Sequence, residues 1–347
     1  MTKPGRRRVS VFALGGTIAM TRREDGAVTP ALSAEQLLSA VPGLDKLPID
    51  IDVVNFRQCP GASLRIADVV ELAAAIADRA PDIHGVVVTQ GTDTIEETAY
   101  LIDLLHTLDL PIVVTGAMRN PTLPGPDGPA NLMASISAAA DPSTRSLGCL
   151  VVFNDEIHAA CRVRKSHTTS TATFISPDGG PVGFVVEGRA RVVNRQLNRA
   201  TMPAPPNPDL RVPIATIALG EDPRSLSALA SEADGLVVAA MGAGHVPADL
   251  VQPLEAIAER IPVVLASRTG SGTVLASTYG FAGSEQDLLN RGLMRGGYIH
   301  PLKARLLLQT ALSTTRERSV LAAVFAVAGG FADQEAWPWP EHVSREH

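Results

Sequence analysis

The chain reads as an α/β protein, with a larger N-terminal domain on a doubly wound, mostly parallel sheet and a smaller C-terminal α/β domain. Three observations predict this. Short β-branched runs alternate with helical patterns through the first half, and such alternation implies parallel strands with helices on both faces. The alternation stops at Met202-Pro203-Ala204-Pro205-Pro206-Asn207-Pro208, which reads as an extended linker, and then resumes. At 347 residues the chain also exceeds one typical core. The expected organisation is therefore residues 1–200, a linker at 201–210, and residues 211–347.

The elements follow in order. Val9–Leu14, Ile51–Phe56, Gly85–Thr89, Ile112–Thr115 and Leu150–Phe153 are the expected strands of the first domain. Ile66, Val69, Val70, Ala73, Ile76 and Ala77 recur at helical spacing, and Pro81 marks the end of that helix. Ile95, Ala99, Ile102 and Leu105 form a second apolar stripe. Beyond the linker, Ile214–Leu219, Leu236–Met241 and Val263–Ala266 read as strands, with helices starting near Ser225, Ala248, Glu285 and Lys303. Trp337-Pro338-Trp339-Pro340 reads as a surface strap, with a recognition motif as the alternative.

The bulk numbers exclude several classes. A net charge of −6 gives no electrostatic reason to expect a nucleic-acid partner. Arg6-Arg7-Arg8 is the basic cluster and reads as a solvated N-terminus. No apolar stretch approaches the ~20 residues needed to span a bilayer, and no secretory signal is evident. Cys59, Cys149 and Cys161 cannot complete a disulfide framework and read as buried thiols in a reducing compartment. A cytoplasmic protein is expected, with no membrane partner. Cysteine and histidine placement suggests no metal site of recognisable spacing.

Two threonine-bearing glycine turns carry the chemistry: Leu14-Gly15-Gly16-Thr17-Ile18-Ala19 and Thr89-Gln90-Gly91-Thr92-Asp93-Thr94. Each follows a strand and precedes a helical segment, at the carboxyl edge where open α/β sheets bind ligands. A threonine hydroxyl is a poor nucleophile unless a neighbour takes its proton. The glycines permit a sharp bend and a close substrate approach, and the free N–H groups of a following helix favour developing negative charge. Thr17 and Thr92 both fit, and Asp93 could hold an ammonium group. A plain helix-capping turn is the alternative. The glycine spacing matches no phosphate-binding loop, and Glu96 and Glu97 read as first-turn helix charges.

These residues resemble the bacterial-type L-asparaginase (asparaginase/glutaminase) family. The matching motifs are Leu14–Ala19, Thr89–Tyr100, Gly116–Arg119 (GAMR), Asp127–Leu132 (DGPANL) and Tyr298–Gln309, in the same order from about Val9 to about Ala328. The resemblance implies hydrolysis of L-asparagine to L-aspartate and ammonia, without metal or cofactor. In it Thr17 corresponds to the nucleophile, and Thr92, Asp93 and Lys165 to a second catalytic constellation. Asp93 corresponds to the residue that binds the substrate α-ammonium, with Gly91 beside it. Ala117 stands where backbone meets the leaving amide. A homotetramer built as a dimer of dimers is also implied.

The sequence departs from the family in three places. Val28 aligns with a tyrosine that helps activate the nucleophile. Gly61, in Pro60-Gly61-Ala62-Ser63-Leu64, aligns with the serine that binds the substrate carboxylate, so backbone N–H groups at Gly61 and Ala62, or the Ser63 hydroxyl, would take that role. The segment after Arg268 is short, and an acidic residue that some members supply from a neighbouring subunit has no clear match; His245 either faces that shared site or is structural. Alternatives to an L-asparaginase are a glutaminase-asparaginase, the amidase subunit of a tRNA-dependent amidotransferase, and a non-catalytic amino-acid sensor.

Overall fold

The computed structural model describes residues 6–16, 18, 20–22, 28–30, 34–196 and 198–339, with the backbone alone for 20–22, 28–30 and 34. The chain divides into two compact units, with the boundary after Gln196.

In the first unit the strands are β1 (Arg7–Ala13), β2 (Met20–Arg22), β3 (Val28–Pro30), β4 (Ile49–Asn55), β5 (Gly85–Thr89), β6 (Ile112–Thr115), β7 (Cys149–Phe153), β8 (Glu156–Ala159), β9 (Arg164–Lys165), β10 (Phe174–Ile175), β11 (Gly183–Val186) and β12 (Arg189–Val192). The helices are α1 (Ala34–Ser39), α2 (Ile66–Arg79), α3 (Ile95–Leu105) and α4 (Gly128–Ala140). Among the described residues, eight strands form one sheet in the order β12-β11-β8-β7-β6-β5-β1-β4. β4, β1, β5, β6 and β7 run parallel, whereas β8, β11 and β12 close the sheet antiparallel.

Alternation along the strands explains the layers. Val9, Val11, Val87, Val113, Leu150 and Val152 point into one cluster with Leu37 of α1 and Leu132 and Ile136 of α4. The alternate residues Val86, Val88, Ile112, Val114 and Val151 are buried as well, as expected of parallel strands covered on both faces. α3 packs on β6 and β7, and α2 packs on α3.

The strand order also sets where a ligand binds. β4 lies on one side of β1 and β5 on the other, so the connections after β1 and β5 leave the sheet at a reversal of winding. Such switch points are the ligand clefts of open α/β sheets. The carboxyl ends are level, since Ala13 pairs with both Asn55 and Thr89, and Thr89 with Thr115.

The second unit holds β13 (Ile214–Thr216), β14 (Leu236–Ala240), β15 (Val263–Ser267) and β16 (Met294–Arg295), paired in that order and parallel. Its helices are α5 (Pro223–Ala230), α6 (Val251–Arg260), α7 (Glu285–Asn290), α8 (Pro301–Leu312) and α9 (Arg318–Ala328). Leu226 of α5 and Leu254 and Ile257 of α6 join Leu236, Val238 and Leu265 in the core. α8 packs on β13, β14 and β15, and α9 on β16.

Three expectations need correction. The Arg6–Arg8 cluster is not a solvated terminus: Arg7 and Arg8 begin β1, and Arg6 pairs with Asp50 at 2.8 Å while donating to the Leu47 and Ile49 carbonyls. Of the three free thiols, Cys149 is buried but Cys59 and Cys161 are partly exposed. The proline-rich segment, read as an extended linker, is tied to the C-terminal part of α8 and the residue after it. Gln309 of α8 donates to the Asn207 and Leu210 carbonyls, and the Asn207 N–H donates to Ser313. Its prolines lack the N–H groups a strand needs, so side chains hold it in place. Trp337 is a core residue rather than a strap, buried and donating to the Thr201 carbonyl at 3.0 Å.

α2 begins on an ionic cap. The Asp68 carboxylate accepts from the Arg65 backbone N–H at 3.0 Å and from its guanidinium at 3.1 Å, and Arg57 lies at 3.5 Å. These arginine hydrogen bonds outweigh burial and hold the Asp68 carboxyl at about 2, below its usual 3.8. A lowered carboxyl stabilises the fold above its unfolded value, and that stability is lost as pH falls through the folded one. Its contribution is at most about 2 kcal/mol, reduced by solvent screening of the exposed Arg65. Urea unfolding of Asp68→Asn against pH is expected to show the variant weaker than wild type at pH 6 and the difference vanishing near pH 2.

Candidate active site

Four connections converge at the carboxyl edge of β4, β1, β5 and β6. Gly15 and Gly16 leave β1 with φ of 92° and 93°, values that glycine alone adopts readily. A Cβ on Gly16 would overlap the Gly91 backbone. A Cβ on Gly61 would lie 2.6 Å from the Gly91 carbonyl oxygen, and one on Gly91 would lie 2.6 Å from the Gly61 nitrogen. Three turns therefore meet backbone against backbone through three glycines. Side chains tie them further: the Thr94 hydroxyl donates to the Gly61 carbonyl at 2.9 Å, and buried Gln90 donates to Thr94 at 3.2 Å.

Thr92 is buried at the start of a short 3₁₀ turn, Thr92–Thr94, and Asp93 beside it is exposed. Lys165 reaches both. Its Nζ donates to Thr92 Oγ1 at 2.9 Å and lies 2.7 Å from Asp93 Oδ1. The β9–β10 hairpin delivers this lysine, anchored where Phe174 of β10 packs on Phe153 of β7, with ring centroids 4.5 Å apart. Glu96 lies in the first turn of α3 but is buried and accepts from the Lys165 N–H at 3.4 Å, so it faces the hairpin rather than water. An ammonium held on a buried hydroxyl can take that hydroxyl's proton once the amine is neutral.

Ala117, after β6, is buried. Asp127 fixes its loop by accepting from the Met118 and Arg119 N–H groups at 3.0 and 2.8 Å. Asn131 of α4 donates to both the Gly116 carbonyl and Asp127 at 3.1 Å, and accepts from the Asn154 N–H at 3.0 Å. Thr94 and Asp127 stand at helix N-caps, yet neither caps its own helix; their side chains hold the neighbouring turns instead.

Thr17 lies outside the described residues, but both of its chain neighbours lie within them. Gly16 abuts Gly91, and the Ile18 side chain would be 2.9 Å from a Cβ on Gly128, a point 3.4 Å from the Ala117 side chain. Gly61, Ala62 and Ser63 form a 3₁₀ turn after β4, with Gly61 buried and the other two exposed. Val28 pairs with Arg22 in the β2–β3 hairpin. In the second unit, His245 Nε2 lies 3.2 Å from buried Glu285, with Tyr279 and Phe281 edge-on to its ring. Glu285 also accepts from the Thr278 and Tyr279 N–H groups. Among the described residues no cluster of three His, Cys, Asp or Glu could hold a metal ion, and no helix is long and apolar enough to cross a membrane.

The family profile "Asparaginase, N-terminal" matches residues 8–198, and "Glutaminase/Asparaginase C-terminal domain" matches residues 211–325. The chain belongs to the asparaginase family. A probable L-asparaginase of Deinococcus radiodurans is 35% identical, covering 92% of this chain and 97% of that protein. L-asparaginase 2 of Escherichia coli is 30% identical, over 91% of this chain and 92% of that one. The crystal structure of a probable cytoplasmic L-asparaginase from Campylobacter jejuni superposes with a TM-score of 0.82 at 30% identity, covering 93% of this chain and all of that one.

Within this asparaginase fold, Gln90, Thr94, Glu96, Asp127 and Asn131 were missing from the candidate site residues. All five lie inside or beside the motifs that carried the resemblance. The available signal was polar residues on segments next to carboxyl-edge turns. Steric packing explains the glycine at position 61, because the Gly91 backbone leaves no room for a side chain. Gly61→Ser is therefore expected not to improve the enzyme but to lower its turnover roughly 100-fold by displacing the Thr92 turn. Steady-state kinetics beside a thermal melt would check this.

Proposed function

We propose that this protein is an L-asparaginase, hydrolysing L-asparagine to L-aspartate and ammonia through an acyl-threonine intermediate. The observation that carries the reading is the Lys165–Thr92–Asp93 cluster, whose turn abuts the residue preceding Thr17. Thr17 Oγ attacks the side-chain amide carbon, and its proton passes to the Thr92–Lys165 pair. Collapse of the tetrahedral adduct breaks the C–N bond, and the departing amine takes up that proton and leaves as ammonia. Water then attacks the ester carbon, releasing aspartate and restoring the Thr17 hydroxyl. Asp93 holds the α-ammonium, Gly91 and the Gly61–Ser63 turn bound the carboxylate end, and the Ala117 backbone faces the amide. Since position 28 is valine, Thr92 and Lys165 carry the proton transfer that a tyrosine would otherwise share.

A glutaminase-asparaginase is the second reading, favoured by a relative of that name in Pseudomonas aeruginosa that is 30% identical. One methylene changes binding only modestly. Ammonia release from L-asparagine, L-glutamine and D-asparagine decides between them. Rapid release from L-asparagine supports the leading reading, and no release from any of the three refutes both. The active form is a cytoplasmic homotetramer in this reading; light scattering that found a fully active monomer would refute the assembly.

A further inference from the structure

The second unit contains a cavity of ≈ 450 Å³ between the edge strand β16 and the outer face of α9. Its volume is in the range of small-molecule sites, ~300–1,000 Å³. Leu293, Met294, Ala322 and Phe331 give it apolar walls, and Arg295 and Arg318 line it as well. Arg295 is held in place: its Nε donates to the Val274 carbonyl at 2.7 Å, and its guanidinium lies 3.3 Å above the Phe331 ring. Phe331 in turn stacks on Tyr298, with planes 4° apart and centroids at 5.8 Å.

Neither arginine has a carboxylate partner among the described residues, whereas Arg211, Arg291 and Arg316 of the same unit do. Burial holds the Arg295 guanidinium below the usual arginine range. A half-buried cation without a counter-ion is costly; Arg295 is such a cation, and the exposed Arg318 lines the same apolar cavity. Guanidinium matches a carboxylate through paired N–H donors, and aromatic and aliphatic walls match an apolar body.

We propose that this cavity binds a small aryl carboxylate, with Arg295 and Arg318 on the carboxylate and the ring between β16 and α9. Calorimetric titration of the whole chain with phenylacetate tests it, beside the uncharged isostere 2-phenylethanol and inorganic phosphate. Expected is one saturable site for phenylacetate, with no saturable heat from either control. Arg318→Gln is expected to weaken phenylacetate roughly tenfold or more, and Ala322→Trp to abolish its binding by filling the cavity. Both positions are exposed, so an unchanged thermal melt would show that the variants fold. Equal binding of 2-phenylethanol, equal binding of phosphate, absence of a phenylacetate site, or indifference to Arg318→Gln would each overturn the proposal.

Discussion

Thr17→Ala is expected to abolish ammonia release from L-asparagine, with kcat falling roughly ten-thousand-fold or more while the fold is unchanged. The size follows from the chemistry: without the hydroxyl no acyl-enzyme forms, and water must attack the amide unaided. Binding should survive, because Asp93, Gly91 and the Gly61–Ser63 turn are untouched. Calorimetry should show asparagine bound and unconsumed. Thr17→Ser is expected to retain part of the activity, since the oxygen is kept. Full turnover in Thr17→Ala would remove the nucleophile assignment and leave the rest of the site in need of another.

Lys165→Met should be nearly as damaging, with kcat reduced roughly a thousandfold. The Thr92 hydroxyl would lose the amine 2.9 Å away, and Asp93 its ion pair at 2.7 Å. Lys165→Arg separates two roles. Arginine keeps the positive charge but does not give up its proton in a protein. If Lys165 shuttles a proton, the arginine variant stays inactive; if it supplies charge alone, arginine restores most of the rate. A pre-steady-state burst of ammonia would further show whether attack or deacylation has slowed.

Much of this was legible in the sequence because strands and turns are written locally. β5 and β6 run over Gly85–Thr89 and Ile112–Thr115, as the β-branched runs predict, and α2 spans Ile66–Arg79, just short of Pro81. The convergence of Thr92, Asp93 and Lys165 was reachable only through the family resemblance. Alone, Lys165 looks like any surface lysine, because the Phe153–Phe174 contact that presents it joins residues distant in sequence. The roles of Thr94 and Asp127 were hidden for a related reason. Both occupy cap positions, and a cap residue that serves a neighbouring turn carries the same letter as one that serves its own helix. Trp337 misled in the opposite direction: a Trp-Pro-Trp-Pro run suggests a surface strap, yet its indole is fixed to Thr201.

The glycine junction bears on how this enzyme could change by mutation. When two side chains crowd each other, trimming one makes room for growth in the other, so a second substitution can repair the first. Gly16 and Gly61 each press on the main chain of Gly91, and no substitution shortens a main chain. A side chain introduced at any of the three has no partner mutation available at the other two. Substrate range must therefore drift around the junction rather than through it, at positions such as the exposed Ala62 and Ser63. A combinatorial library over all five positions should return glycine at 16, 61 and 91 in nearly every active clone, with its diversity confined to 62 and 63.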